Sequence, residues 1–108
     1  MNVRLSADSL RFRVDRSELE ALIGEASLEF SLVFPGGTPF VCAIVSNRDL
    51  ESAMAVTFEK NCLTLFVATS SLESLRAKHG KEASLESDET RYGGNVLRCS
   101  LEVDFKTS

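Results

Sequence analysis

Three cysteines and one histidine are the residues of this sequence with the most reactive side chains. Cys42, Cys62, His79 and Cys99 are spread along the chain without the close ligand pairs that zinc sites use. Cys42 and Cys99 suit a thiol pair, a metal site or two small buried residues, and we favour the last because buried free cysteine behaves as a hydrophobe. The sequence therefore predicts no metal site and no cofactor.

The sequence also shows no clear set of residues for acid–base or nucleophilic catalysis. His79 lies near the end of a predicted helix, where a histidine serves more simply as a partner of the helix dipole than as half of a Cys–His nucleophile. Carboxylates are plentiful, but no pair is set apart as an acid and a base. We therefore expect a protein that is not an enzyme.

Arginines form the other cluster with binding chemistry. Arg11 and Arg13 alternate along a predicted strand, with Arg4 and Arg16 nearby, and they form a candidate site for an acidic partner. The alternative is the solvated face of a strand, which nearby carboxylates neutralise. The chain has 12 basic and 16 acidic residues and a net charge of −4, so we expect no non-specific nucleic-acid binding.

The elements that position these residues occur twice. The pentapeptide EASLE at 25–29 recurs at 82–86, and further matches lie 53 residues apart upstream and 57 residues apart downstream. Self-similarity at a nearly fixed step indicates a duplicated unit. We predict one domain, residues 1–108, with internal repeats 2–45 and 55–104.

The first repeat has the pattern strand-strand-helix-strand-strand. Residues 2–6 and 10–14 alternate between apolar and polar side chains, which predicts two half-buried strands. Asp15 and Glu18 predict a capping box at the start of a helix. Two more strands follow at 27–34 and 39–45, joined by a Pro-Gly-Gly turn.

The second repeat follows the same order. Ser70 and Glu73 predict the capping box of its helix, and four inserted residues are expected to lengthen this helix by about one turn. Residues 86–91 are expected as a short edge strand or a loop. The final strand, from Leu97 to Phe105, alternates cleanly.

These elements predict an α+β fold. Because hairpins pair their strands antiparallel, we expect an antiparallel sheet of about eight strands with two helices on one face and a pseudo-two-fold axis. The order of elements is similar to the duplicated unit of sliding DNA clamps, shifted by one strand. This similarity concerns topology and implies no function.

One sheet face is expected to be unusually apolar. The outward positions Arg98, Ser100 and Glu102 of the last strand correspond to Val41, Ala43 and Val45 in the first repeat. These residues are either ordinary strand formers or a contact surface. Val33 also points outward, and Phe66 occupies the position that Arg13 has in the first repeat. The candidate binding residues are Val33, Val41, Ala43, Val45, Phe66, Arg11 and Arg13.

Four segments carry a resemblance to known proteins: SLRFRV at 9–14, FPGG at 34–37, VTFEKN at 56–61 and EVDF at 102–105. Together they resemble an uncharacterised family of small bacterial proteins. The resemblance implies bacterial origin and a cytoplasmic location, and it supplies no catalytic residue.

Two classes of function remain open at this stage. The first is a non-enzymatic interaction module that forms a homo-oligomer or binds an unidentified protein partner. The second is a small-molecule-binding protein or enzyme with a pocket between the helices or between helix and sheet. No apolar run approaches the length of a membrane helix, so we expect no membrane partner. An odd number of cysteines favours a reducing compartment and hence the cytoplasm.

Overall fold

Two helices and eight strands make up the fold. The computed structural model describes residues 1–78, 84–90 and 96–104. The elements in chain order are β1 (Asn2–Leu5), β2 (Ser9–Asp15), α1 (Arg16–Ile23), β3 (Leu28–Leu32), β4 (Phe40–Asn47), β5 (Met54–Glu59), β6 (Cys62–Ala68), α2 (Thr69–Arg76), β7 (Ser84–Thr90) and β8 (Val96–Asp104). The predicted α+β class with two helices is confirmed.

The strands form two four-stranded sheets, so the prediction of one eight-stranded antiparallel sheet is wrong. Sheet A has the order β1-β2-β8-β7 and sheet B the order β3-β4-β6-β5. Each hairpin pairs antiparallel, but β2 runs parallel to β8 and β4 runs parallel to β6. Alternation along a strand shows which face is buried and contains no information about the neighbouring strand, so it could not reveal these parallel pairs.

The two sheets share one pairing register. In sheet A, Leu10 pairs with Cys99 across β2 and β8. In sheet B, Cys42 pairs with Leu63 across β4 and β6. The two pairs are equivalent in the repeats, because Leu63 lies 53 residues after Leu10 and Cys42 lies 57 residues before Cys99. Each sheet therefore combines the first hairpin of one half of the chain with the last hairpin of the other half.

The helices cover part of the buried face of each sheet. Helix α1 contacts α2 and strands β2, β4 and β8, whereas α2 contacts β6 and β7. Leucines at helical spacing make these contacts, and Leu19, Leu22, Leu72 and Leu75 are all 0% exposed. The strands contribute the rest of the core, which contains Leu10, Phe12, Val14, Cys42, Ile44, Met54, Leu63, Leu65, Val67, Cys99, Leu101 and Val103.

The two helices begin differently. At α1 the predicted capping box is present: the Glu18 amide donates to Asp15 Oδ1 at 2.8 Å, and the Asp15 amide donates to Glu18 Oε1 at 3.0 Å. At α2 the predicted box is wrong, because the helix starts directly after Ala68, which makes no side-chain cap. Ser70 thus lies inside the first turn.

The second helix is also no longer than the first. Both helices have eight residues, and α2 ends at Arg76. The four inserted residues therefore lie in the connection between α2 and β7, and the prediction of a longer helix is wrong. Strand β7 is an edge strand of seven residues, within the predicted alternatives. No helix of the described residues is both long and apolar enough to cross a membrane.

Candidate functional site

Each sheet has a buried face and an outer face, and the two outer faces differ in chemistry. On β2 the buried side chains are Leu10, Phe12 and Val14, and the residues between them face outward. The same alternation holds on β6, whereas on β4 the outward residue Ala43 is buried together with Cys42 and Ile44. Because the two sheets share one register, each outer position of sheet A has a counterpart on sheet B.

The outer face of sheet B is largely apolar on its two central strands, although Thr64 of β6 also lies there, beside Ala43. Val41, Ala43 and Val45 project from β4, and Phe66 projects from β6 directly opposite Val45. Ala55 on the edge strand β5 lies on the other side of Phe66. We call these five apolar residues the apolar face. Ala43 is only 7% exposed, whereas the other four are part-buried by their neighbours.

Polar side chains border the apolar face on both edge strands. Glu29 and Ser31 on β3 pair with Ala43 and Val41. On the other edge, Thr57 and Glu59 follow Ala55 along β5. An apolar centre with a polar border is the usual composition of a protein–protein contact surface.

Val33 does not belong to the apolar face, contrary to the outward strand position predicted for it. It lies one residue beyond the end of β3, in the segment that leads to the turn, and it is 73% exposed. Gly36 in this turn has a φ of 68°, which suits glycine, and Gly37 donates its amide to the Phe34 carbonyl at 3.0 Å. The structure therefore brings four of the five predicted apolar residues together.

Several exposed apolar residues were missed by sequence reasoning because they were assigned to the core. Leu5, Leu32 and Phe58 occupy buried-face positions, yet they are 60%, 48% and 54% exposed. All three lie near the hairpin turns, at the ends of strands. An eight-residue helix spans about 12 Å and a seven-residue strand about 23 Å, so the helices cover only part of each sheet. Phe40 and Phe58 contact each other there, with ring centroids 6.0 Å apart.

The outer face of sheet A is charged. Arg11 and Arg13 project from β2, and Arg11 Nη2 lies 2.8 Å from Glu102 Oε1 on β8. Arg13 Nη2 lies 4.0 Å from Asp104 Oδ2. The hydrogen bond to Glu102, followed by the charge of that carboxylate, raises the pKa of Arg11. These pairs bridge parallel neighbours and could not be foreseen from a single-sheet prediction.

Arg4 stands on the same outer face, directly opposite Arg11 in the β1–β2 register. Arg16 does not, because it is the first residue of α1. A depression of about 90 Å³ lies on this outer face and is lined by Asn2, Arg4, Arg11, Phe12, Arg13 and Glu102. A wider one of about 280 Å³ lies on the other side of the Arg11–Glu102 pair.

The three cysteines form no disulfide and lie in two environments. Cys42 and Cys99 are each 2% exposed within the core, as their alternation predicts. Burial, with a smaller contribution from Cys62, raises the pKa of the Cys42 thiol. Cys62 begins β6, beside Val41 on the outer face of sheet B, where its Sγ lies 3.4 Å from Thr64 Oγ1.

Within the described part of the chain, no group of three or more His, Cys, Asp or Glu side chains could hold a metal ion. His79 and the turn predicted at 92–95 lie outside the described residues. What the described geometry offers is therefore two sheet faces, one suited to apolar contact and one to anionic groups.

Comparison with known proteins agrees with the resemblance seen in the sequence motifs. No curated protein and no solved structure matches the chain. A family model does match, and it extends over residues 1–107. The chain therefore belongs to the family of unknown function DUF7009.

Proposed function

We propose that this protein is a non-enzymatic interaction module that self-associates through the apolar face of sheet B. The proposal is carried by the contrast between the two outer faces. Val41, Ala43 and Val45 stand at the sheet positions that Arg98, Ser100 and Glu102 occupy on sheet A. Since sheet A forms with polar residues there, the fold itself does not require apolar ones.

A second copy of the chain is the occupant that suits this face best. A two-fold axis places the same patch against itself, so a patch without central charges is self-complementary. The Val45–Phe66 row supplies the aromatic and β-branched side chains that pack well across such a contact. Glu29 and Glu59 lie at the border, where they stay in water and do not oppose each other at the centre.

The area of the whole outer face of sheet B predicts a weak dimer. Four strands about 4.8 Å apart and seven residues rising about 3.3 Å each give a face of roughly 19 Å by 23 Å, or about 440 Å². Stable complexes bury about 800 Å² on each partner. We therefore expect a dimer that forms reversibly and only at high protein concentration.

Sedimentation velocity tests this proposal. The wild type should shift from monomer to dimer between about 10 µM and about 1 mM, the range expected for a small interface. Val41→Glu combined with Val45→Lys should remain monomeric over this range, because a dimer would then bury unpaired charges. A circular-dichroism spectrum like that of the wild type would show that the variant is folded.

The equivalent positions of sheet A provide the matched control. Arg98→Glu combined with Glu102→Lys places similar charges on the other outer face and should leave the association unchanged. A wild type that stays monomeric throughout, or a control variant that loses association equally, would contradict the proposal. Docking of a different protein partner on the same face is the alternative that a monomeric wild type would favour.

A small-molecule site between the helices or between helix and sheet has less support. The side chains that α1 and α2 bury are leucines, together with Thr69 at the start of α2. The Thr69 Oγ1 atom is buried without a hydrogen-bond partner among the described residues. One hydroxyl is fewer than the convergent polar groups that such a site needs.

We also propose that the whole chain, residues 1–108, is one domain that arose by duplication of units corresponding to 2–45 and 55–104. Support comes from the shared register of the two sheets and from the contacts of α1 with strands of both. A cytoplasmic, bacterial setting is proposed because the cysteines form no disulfide and because of the motif resemblance. Folding of either half alone would count against the single-domain proposal.

A further inference from the structure

The arginines on the outer face of sheet A are not explained by self-association through sheet B. We infer that Arg4, Arg11 and Arg13 form a binding site for a phosphate-type oxyanion, seated in the 90 Å³ depression between β1 and β2. This site lies on the other sheet and is independent of the proposed dimer.

The first support is an unfavourable arrangement of like charges. Arg4 and Arg11 are directly opposite each other in the antiparallel register of β1 and β2. Like charges at directly opposed positions destabilise a sheet. An anion bound between the two guanidinium groups would convert this repulsion into attraction.

The second support comes from the equivalent positions of sheet B. There Thr57 pairs with Thr64 where sheet A has Arg4 and Arg11. The equivalent pair of positions in sheet B is thus occupied by uncharged residues that favour strands. Folding alone does not account for the arginines of sheet A.

The third support is the local charge balance. Among the described residues, three guanidinium groups and one carboxylate, that of Glu102, line the depression, which gives its lining a net charge of +2. Glu102 engages Arg11, and Arg13 is only loosely paired with Asp104, at 4.0 Å. Among the described residues Arg4 has no carboxylate partner.

This balance selects the class of ligand. A phosphate group carries nearly two negative charges near neutral pH, and its oxygens accept the forked N–H donors of arginine. A single carboxylate would neutralise only half of the net positive charge of the lining. The side chains of Arg11 and Arg13 are each 52% exposed, so the site is open to solvent and its affinity should be modest and sensitive to salt.

Titration with inorganic phosphate, followed by amide nuclear magnetic resonance at constant ionic strength, tests the inference. Saturable shifts should appear at Asn2, Arg4, Arg11 and Arg13, and sodium chloride or acetate should not reproduce them. Arg4→Thr, which copies the residue of sheet B, should weaken phosphate binding by about fivefold, the upper end of what an exposed charge pair contributes. Arg48→Thr, which removes an exposed arginine paired with Glu25 elsewhere, is the matched control and should bind normally.

A second variant separates a binding site from a structural role. Glu102→Gln removes the carboxylate that lines the depression and releases Arg11, so phosphate binding should become tighter. Shifts that do not saturate, an unchanged affinity in Arg4→Thr, or weaker binding in a folded Glu102→Gln protein would each overturn the inference. The amide spectrum of each variant reports whether it is folded.

Discussion

At the scale of single residues, the side chain of Cys42 shows how a local pattern specifies burial. Cys42 alternates with Ile44 along β4, and both side chains lie in the core. Removal of the thiol from water disfavours the charged thiolate, which is why its pKa is raised. Beside the packing of its buried sulfur, Cys42 therefore adds a contribution to stability that depends on pH.

The sign of this effect follows from linkage. In the unfolded chain the thiol ionises near its ordinary pKa, whereas in the folded protein it stays protonated to higher pH. The contribution of Cys42 to stability is thus complete below the ordinary thiol pKa. It declines as the pH rises through that value and up to the raised one.

We therefore predict a pH-dependent difference between the wild type and Cys42→Ala. At about pH 7 the variant should be destabilised by roughly 1 kcal/mol for the lost buried sulfur, and this difference should shrink by about pH 10. Urea unfolding at both pH values measures it. Leu101→Ala, another truncation in the core, cannot titrate and should differ from the wild type equally at both. A constant difference for Cys42→Ala would contradict the prediction.

At the scale of elements, the sequence located the helices and most of the strands but not how the strands assemble. Period-two alternation identifies strands that have one buried face, but it fails along β4, which is apolar on both faces, and it does not distinguish β7 from a loop. It could not reveal that β2 pairs with β8, since the two strands are distant in the chain. Parallel neighbours are also not joined by a hairpin turn, which is the sequence signal for antiparallel pairing. The start of a helix is similarly ambiguous in the sequence. Asp15 with Glu18 forms a capping box at α1, whereas Ser70 with Glu73 forms none at α2.

This difference between the caps leads to a matched prediction. Asp15→Ala should lower the free energy of unfolding by about 1 kcal/mol, because the Glu18 amide would lose its acceptor at the start of α1. Ser70→Ala should have an effect below about 0.5 kcal/mol, because Ser70 is exposed inside α2 and caps nothing. Thermal or urea unfolding of both variants measures the effects, and equal losses would mean that α2 begins later than the structure shows.

At the scale of the whole molecule, the predicted binding residues separate into two surfaces. Val41, Ala43, Val45 and Phe66 do lie together, because β4 and β6 are neighbours in sheet B. Arg11 and Arg13 lie on sheet A, and Val33 lies on neither sheet. Only the division into two sheets reveals this separation, and residue patterns within single strands contain no trace of it.

The half-exposed thiol of Cys62 provides a native probe of the assembly. It adjoins Val41 on the outer face of sheet B, and the other two thiols are buried. If two copies pack through this face, dimer formation must hinder access to Cys62. We therefore predict that alkylation of Cys62 by iodoacetamide slows as the protein concentration rises from about 10 µM to about 1 mM, the range over which a small interface associates.

Two comparisons make this prediction specific. In Val41→Glu combined with Val45→Lys the rate should not depend on protein concentration, because the variant stays monomeric. Cys42 and Cys99 should react only after addition of denaturant, at every concentration, since their protection comes from the core. Mass spectrometry of the alkylated peptides separates the three sites. A Cys62 rate that is the same at both ends of the concentration range in the wild type would exclude packing through this part of sheet B, and the contact would then have to lie elsewhere on the molecule.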